Sequence, residues 1–318
     1  MQLNLGIFPY NYNSDSKNLG LYLLKGNVYP GTLVPGYADL FGVVQSRAGA
    51  MGRYKIGGLT NDLLFVVEED KPLYDISIAD VVTWRVHSSF EFGFGVNFYR
   101  AIAADPDATS PGTDCRKEKL GPYSGSGPTP EQDNPCFIVE KDALGNPTDT
   151  LTGSLAGTKL MARFRLDPKV WFGSPESMGG DELVFYGETA VIGVKDYPIF
   201  YTDIQRRIPV MMGLNLPTWK LFNLSVEGEF YASKNSSDNL PAQNGSWLPG
   251  GTTDPGTGRD DWKWSVNASR VVLGNIFLGL QVANDHLRLG GTHNNATGQE
   301  AMRTPQDWYW AFKTAFFF

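Results

Sequence analysis

Ten charged side chains sit in runs where polar and apolar residues alternate: Arg53, Lys55, Lys159, Arg163, Arg165 and Lys263, with Glu91, Glu188, Glu227 and Glu229. Strand side chains point to opposite faces with a period of two, so these charges are expected on one polar face. Two kinds of chemistry follow. A face that meets water guides hydrated solutes and selects among them by charge. The same groups facing one another pair across strands and close the space between them. The sequence leaves both open.

Hydrolysis has weaker support. The histidines are His87, His286 and His293, and a Ser/His arrangement is conceivable from His286 with Ser265 or Ser269. No nucleophile elbow accompanies them, so no catalytic residue is assigned and an enzyme is not expected. His286 and His293 with Asp285 do not have a metal-ligand spacing, and no metal or cofactor is expected. Gly93, Gly95, Gly187 and Gly193 lie in strand-like runs with no Lys-Ser/Thr or helix behind them, which excludes a phosphate loop.

The elements that must position the charges are strands. Phe90, Phe92, Phe94, Val96 and Phe98 alternate with Glu91, Gly93, Gly95, Asn97 and Tyr99. Leu160, Ala162, Phe164 and Leu166 oppose Lys159, Met161, Arg163 and Arg165; Phe222, Leu224, Val226 and Phe230 oppose Asn223, Ser225, Glu227, Glu229 and Tyr231. About fourteen such runs (12–16) cover the chain, among them Gln2–Asn11, Asn18–Gly26 and Tyr37–Ser46. Three long polar segments, 105–153, 234–259 and 286–305, fall at one end of the strands. The tight Pro217–Trp219 and Leu273–Asn275 turns and the break near His87 fall at the other, together with 27–36 and 168–180. The longest segment, 105–153, reads as structureless.

Composition narrows the class. Gly 36, Phe 19, Tyr 14 and Trp 8 in 318 residues make a turn-rich, β-rich mixture without helical bias. A net charge of −7 with no basic cluster argues against nucleic acid. No run reaches the ~18–20 apolar residues of a membrane helix, whereas a spanning strand needs only ~9–11 alternating residues. No repeat or composition shift divides the chain, so residues 1–318 are expected to form one domain.

The chain closes on Trp308-Tyr309-Trp310-Ala311-Phe312-Lys313-Thr314-Ala315-Phe316-Phe317-Phe318. Trp308, Trp310, Phe312, Phe316 and Phe318 share one face of this strand. This ending resembles the C-terminal signature of bacterial outer-membrane β-barrel proteins. The resemblance implies an all-β fold: one antiparallel transmembrane β-barrel of about 14 strands, with long extracellular loops and mostly short periplasmic turns. Trp310, Phe312, Phe316 and Phe318 would be the assembly signal. The implied surroundings are outer-membrane lipid and lipopolysaccharide, the barrel-assembly machinery, and a homo-oligomer or surface-complex partner. Met1 leads directly into a strand, which is read as a mature form without its signal peptide. No plug domain precedes that strand, so active import is not expected. Cys115 and Cys136, both in 105–153, fit a loop-closing disulfide in an oxidising compartment, with two free thiols as the alternative.

Aromatics near strand ends are expected at a membrane interface: Tyr10, Tyr22, Tyr37, Tyr54, Tyr74, Trp84, Trp219, Trp262, Trp264, Trp308 and Trp310. The expected function is a porin-like channel for passive diffusion of small hydrophilic solutes, with 105–153 as a constriction. The alternative is a structural barrel closed by ion pairs, anchoring a surface complex or adhesion. An outer-membrane lipid hydrolase is the remote third.

Overall fold

The structure, a computed structural model, describes residues 1–24, 28, 46–68, 74–104, 137–141, 147–152, 156–173, 175–194, 204–231, 262–284 and 308–316. Its strands are β1 (Gln2–Pro9), β2 (Ser46–Ile56), β3 (Leu59–Val67), β4 (Ile76–His87), β5 (Phe90–Ile102), β6 (Phe137–Lys141), β7 (Pro147–Thr152), β8 (Gly157–Leu166), β9 (Val184–Val191), β10 (Val210–Leu216), β11 (Asn223–Phe230), β12 (Trp262–Val272), β13 (Ile276–Ala283) and β14 (Tyr309–Phe316).

Twelve of them build one sheet in strict sequence order, β1-β2-β3-β4-β5-β8-β9-β10-β11-β12-β13-β14, with every pair antiparallel. β6 and β7 form a separate hairpin, so 105–153 is not structureless throughout. The sheet therefore holds twelve strands among the described residues, two fewer than expected. The expected strand Asn18–Gly26 is replaced over 18–24 by turns and bends. Tyr37–Ser46 lies outside the described residues except for Ser46, which begins β2. β1 pairs directly with β2, Gln2 opposite Arg53.

Antiparallel order sorts the connections into two ends. Residues 57–58, 88–89, 167–183, 217–222 and 273–275 join strands at one end. Residues 10–45, 68–75, 103–156, 192–209, 231–261 and 284–308 join them at the other. The chain start and the end of β14 share the short-turn end. Residues 27–36, expected at the short-turn end, lie outside the described residues except for Val28. The short turns are made by left-handed backbone, Trp219 and Lys220 (φ 53° and 63°) in one and Leu273 and Gly274 (φ 52° and 78°) in another.

The sheet's polarity is the reverse of a water-soluble domain's. Along β5, Phe94 and Phe98 are 56% and 48% exposed, while Asn97 and Tyr99 between and beside them are buried. The same holds for Leu160 against Lys159, Val226 against Glu227, and Trp310 against Tyr309. Aromatic side chains on the exposed face gather at both ends: Tyr54, Trp84, Trp171 and Trp219 near the short turns, and Tyr74, Trp262, Trp264, Trp308 and Trp310 near the long connections. Tyr10 and Tyr22, expected among them, are instead buried on the polar side; Tyr37 lies outside the described residues.

Candidate functional site

The register puts the ten charged candidates on the same face. Glu91 stands opposite Arg165, Arg163 opposite Glu188, and Glu229 opposite Lys263. Lys159, Arg163, Glu188, Glu227, Glu229 and Lys263 are buried, Arg53, Glu91 and Arg165 half-buried, and Lys55 exposed near the short-turn end of β2. Some pair with each other or with a neighbouring acid. Arg53 clasps Asp62 through two nitrogens at 2.6 and 2.7 Å, and Arg163 reaches Glu91 at 2.9 Å.

Part of the polar face is covered by a segment that sequence reasoning divided between the strands Gln2–Asn11 and Asn18–Gly26 and the turn joining them. Residues 10–24, here called the strap, leave β1 at the long-connection end and fold against the buried face. Leu19, Leu21, Tyr22 and Leu23 are all buried there, against Met51, Leu64, Val81, Met161 and Met211. Apolar packing alone would strand the strap's backbone groups and the sheet's carboxylates together. They satisfy each other instead.

Glu227 accepts four hydrogen bonds. Lys17 N–H and the Tyr186 hydroxyl donate to Oε1, and the Asn18 and Leu19 N–H groups donate to Oε2 at 2.9 Å each. Three successive amides converging on one carboxylate make a backbone anion cradle. Glu188 accepts from the Tyr12 hydroxyl (2.7 Å), Asn13 Nδ2 (3.1 Å) and Tyr22 N–H (2.8 Å). The Tyr22 hydroxyl donates to Glu229 at 2.7 Å. Gly20 and Leu21, both left-handed (φ 79° and 62°), turn the backbone between the two sets of amides. A Cβ on Gly20 would lie 2.6 Å from Met211 Cε, so glycine also permits the close approach.

Carbonyls on the next stretch of strap meet cations and an amide. Lys159 donates to Tyr22 O (3.4 Å), Asn97 Nδ2 to Leu23 O (2.9 Å), and Arg47 to Leu24 O. Side chains add two further anchors, Asp15 with Arg165 at 2.9 Å and the Tyr10 hydroxyl with Asp62 at 3.1 Å. Burial first, and then the neighbouring Glu188 and Glu229 carboxylates, push the Tyr12 and Tyr22 hydroxyls well above their ordinary pKa. They are hydrogen-bond donors at every physiological pH.

Room for the strap comes from glycines in the sheet. At Gly95 a Cβ would fall 2.5 Å from Leu23 Cδ2, and at Gly213 it would fall 2.2 Å from the Tyr186 ring, whose hydroxyl holds Glu227. Gly93 lies against Arg163, and Gly187 under Phe164 and Met212, instead of under the strap.

At the short-turn end, Glu182 is buried and receives Thr218 Oγ1 (3.2 Å) and the N–H groups of Trp219 (3.1 Å) and Lys220. Burial alone would raise its carboxyl. The donors, Lys220 N–H foremost, outweigh burial and hold it below the usual range. His87 is engaged with Ser89 at 2.8 Å, and Ser265 accepts from Asn267 at 2.9 Å. His286, His293, Cys115, Cys136 and Phe318 lie outside the described residues. Among the described residues no three His, Cys, Asp or Glu side chains converge as metal ligands.

Sequence reasoning missed the strap because Leu19, Leu21, Tyr22, Leu23 and Leu24 are apolar enough to pass for a strand. The signal against a strand was local. Asn11, Asn13, Ser14, Asp15, Ser16 and Asn18 are turn formers in close succession, and Leu21–Leu24 breaks the alternation. The chain matches no family model, no curated protein and no solved structure.

Proposed function

We propose that β1 closes against β14, making the sheet a twelve-stranded transmembrane β-barrel of the bacterial outer membrane that passes small hydrophilic solutes through a bore narrowed by the strap. The reversed polarity of the sheet carries this reading. An apolar face exposed over twelve strands is stable where lipid is the solvent, and buried charges on the other face suit a wet or chain-filled interior. Closure is supported by the edges. β1 and β14 run antiparallel at the two ends of the sheet and expose Leu3, Leu5, Ile7, Trp310, Phe312 and Phe316. Two such edges left open would invite aggregation, and a seam removes both. The two aromatic groups match headgroup girdles, and strands of 7–13 residues match the span. β14 then serves as the signal for the assembly machinery, and lipopolysaccharide faces the long loops.

A closed scaffold is the second reading, favoured by the buried hydrogen bonds of the strap. The interior is filled by chain rather than sealed by cross-strand ion pairs alone, so the occluding part is one that can be loosened. Planar-bilayer recording separates the two. The channel reading predicts small, discrete steps that scale with salt and enlarge when Glu227→Gln loosens the strap. Folded protein that stays electrically silent in both forms supports the scaffold and overturns the channel.

A further inference from the structure

The apolar face of the sheet carries an acid in its middle. Along β4, Ser77, Ala79 and Val81 are buried on the polar side, while Ile76, Ile78, Val82 and Trp84 point the other way. Asp80 stands among this second set, half-buried, opposite Leu63 on β3 and Val96 on β5. It lies four positions from Trp84 near the short turns and six from Tyr74 near the long connections. At about 3.3 Å per residue and a tilt of about 40°, the carboxyl sits about 10 Å inside one aromatic group and about 15 Å inside the other. Among the described strand residues this face carries one other charge, Arg270, three positions from the 273–275 turn and so at the headgroup level.

An acid at mid-depth is costly in lipid, and such residues ordinarily pair with another polar group. Asn61, outward on β3, donates an Nδ2 hydrogen to Asp80 Oδ1. Neither side chain makes another hydrogen bond among the described residues. One amide N–H and one carboxyl oxygen remain, a donor beside an acceptor, so the pair is complementary to itself. Rotation about an axis along the membrane normal preserves depth, so in an assembly of copies Asp80 meets only groups at its own level. Outward residues midway along other strands, such as Ala162, Met212, Val226, Leu280 and Phe312, are apolar. What answers the Asn61–Asp80 pair is the same pair on a second copy. The neighbouring surface admits one: Ala48, Ala50 and Gly52 of β2 face outward between Leu5 of β1 and Phe65 of β3. A Cβ on Gly52 would meet nothing within 4 Å, so no contact inside the chain keeps that residue small.

We propose that the chain forms a two-fold dimer through this face, each Asn61 giving its second N–H to the Asp80 of the other copy. The dimer rests on the membrane reading and is independent of whether the bore conducts. The full chain, carrying one dye at the Met1 amine, is folded into lipid vesicles at high dilution, and stepwise photobleaching counts the copies in each particle. Two steps are expected. Asp80→Leu and Asn61→Leu each remove both hydrogen bonds across the two-fold axis and should raise the dimer dissociation constant about tenfold or more. Asp80→Asn keeps a donor and an acceptor at the same place and should keep the dimer. Heat-dependent gel mobility checks that each variant is folded. If the leucine variants do not fold, Gly52→Trp decides: its bulk on the open surface should hold the copies apart and give single steps. Dimers that persist in these variants, dimers lost in folded Asp80→Asn, or one or three steps in the parent chain overturn the pairing and leave the membrane reading standing. A parent chain that folds without entering vesicles sinks the membrane reading and the dimer with it.

Discussion

Replacing Glu227 by Gln tests how the strap is held. The two side chains have nearly the same shape, so packing is unchanged and the hydrogen bonds are isolated. Glu227 receives two donors on each oxygen: Lys17 N–H and the Tyr186 hydroxyl on Oε1, Asn18 and Leu19 N–H on Oε2. Glutamine keeps one acceptor oxygen and turns an NH2 group toward the other pair of donors. At roughly 1.5–3 kcal/mol for each hydrogen bond to a charged group, losing two costs about 3–6 kcal/mol. Tyr186→Phe removes one donor and costs about half as much. Native-state hydrogen exchange at Lys17, Asn18 and Leu19 reads the change directly. A local opening free energy lower by 3–6 kcal/mol speeds exchange by about two to four orders of magnitude. Amides at the centre of β5, such as Val96, should hardly respond. Strap amides in Glu227→Gln that exchange at the parent rate would refute the cradle. Uniform acceleration across the sheet would refute the idea that the strap opens separately from it.

Other expectations follow from the same geometry. Gly213→Ala drives a Cβ into the Tyr186 ring and should destabilise the fold by about 1–3 kcal/mol, whereas in a Tyr186→Leu background the same change should be nearly neutral, a coupling visible in a double-mutant cycle of denaturant unfolding. Phe94→Arg places a charge near the middle of the exposed face and should cost about 2–4 kcal/mol in refolding into lipid vesicles; an unchanged midpoint there would mean that Phe94 does not meet acyl chains. Glu182 has a depressed carboxyl, so its stabilisation is complete above the unfolded value of about 4.3 and disappears as pH falls through the lower folded value. Thermal unfolding followed from pH 6 to pH 3 should therefore show an acid loss that Glu182→Gln reduces.

Most of the sheet was legible in the sequence because the exposed face enforces the pattern. Phe90 to Phe98 alternate without exception, and a one-residue slip would reverse every side chain, so boundaries and faces came out together. The ten charged residues were legible for the same reason. Their partners were not. Glu188 and Glu227 bind amides of residues 17–22, more than 160 positions away, and backbone donors carry no residue-type signature. The strap also borrows the composition of a strand, Leu and Tyr, while using it to fill space beside Gly95 and Met211. Counting it as a strand added one that the sheet does not contain.

The central claim is that lipid meets the exposed face of a closed sheet. Methyl-labelled protein in lipid nanodiscs gives the most direct reading of it, through cross-relaxation between side-chain methyls and acyl chains. Val226 and Leu280 on the exposed face should show acyl contacts; Leu64, Val66, Val81 and Met211 on the buried face should show none. Acyl contacts absent from the first set, or equal in both, would contradict the account.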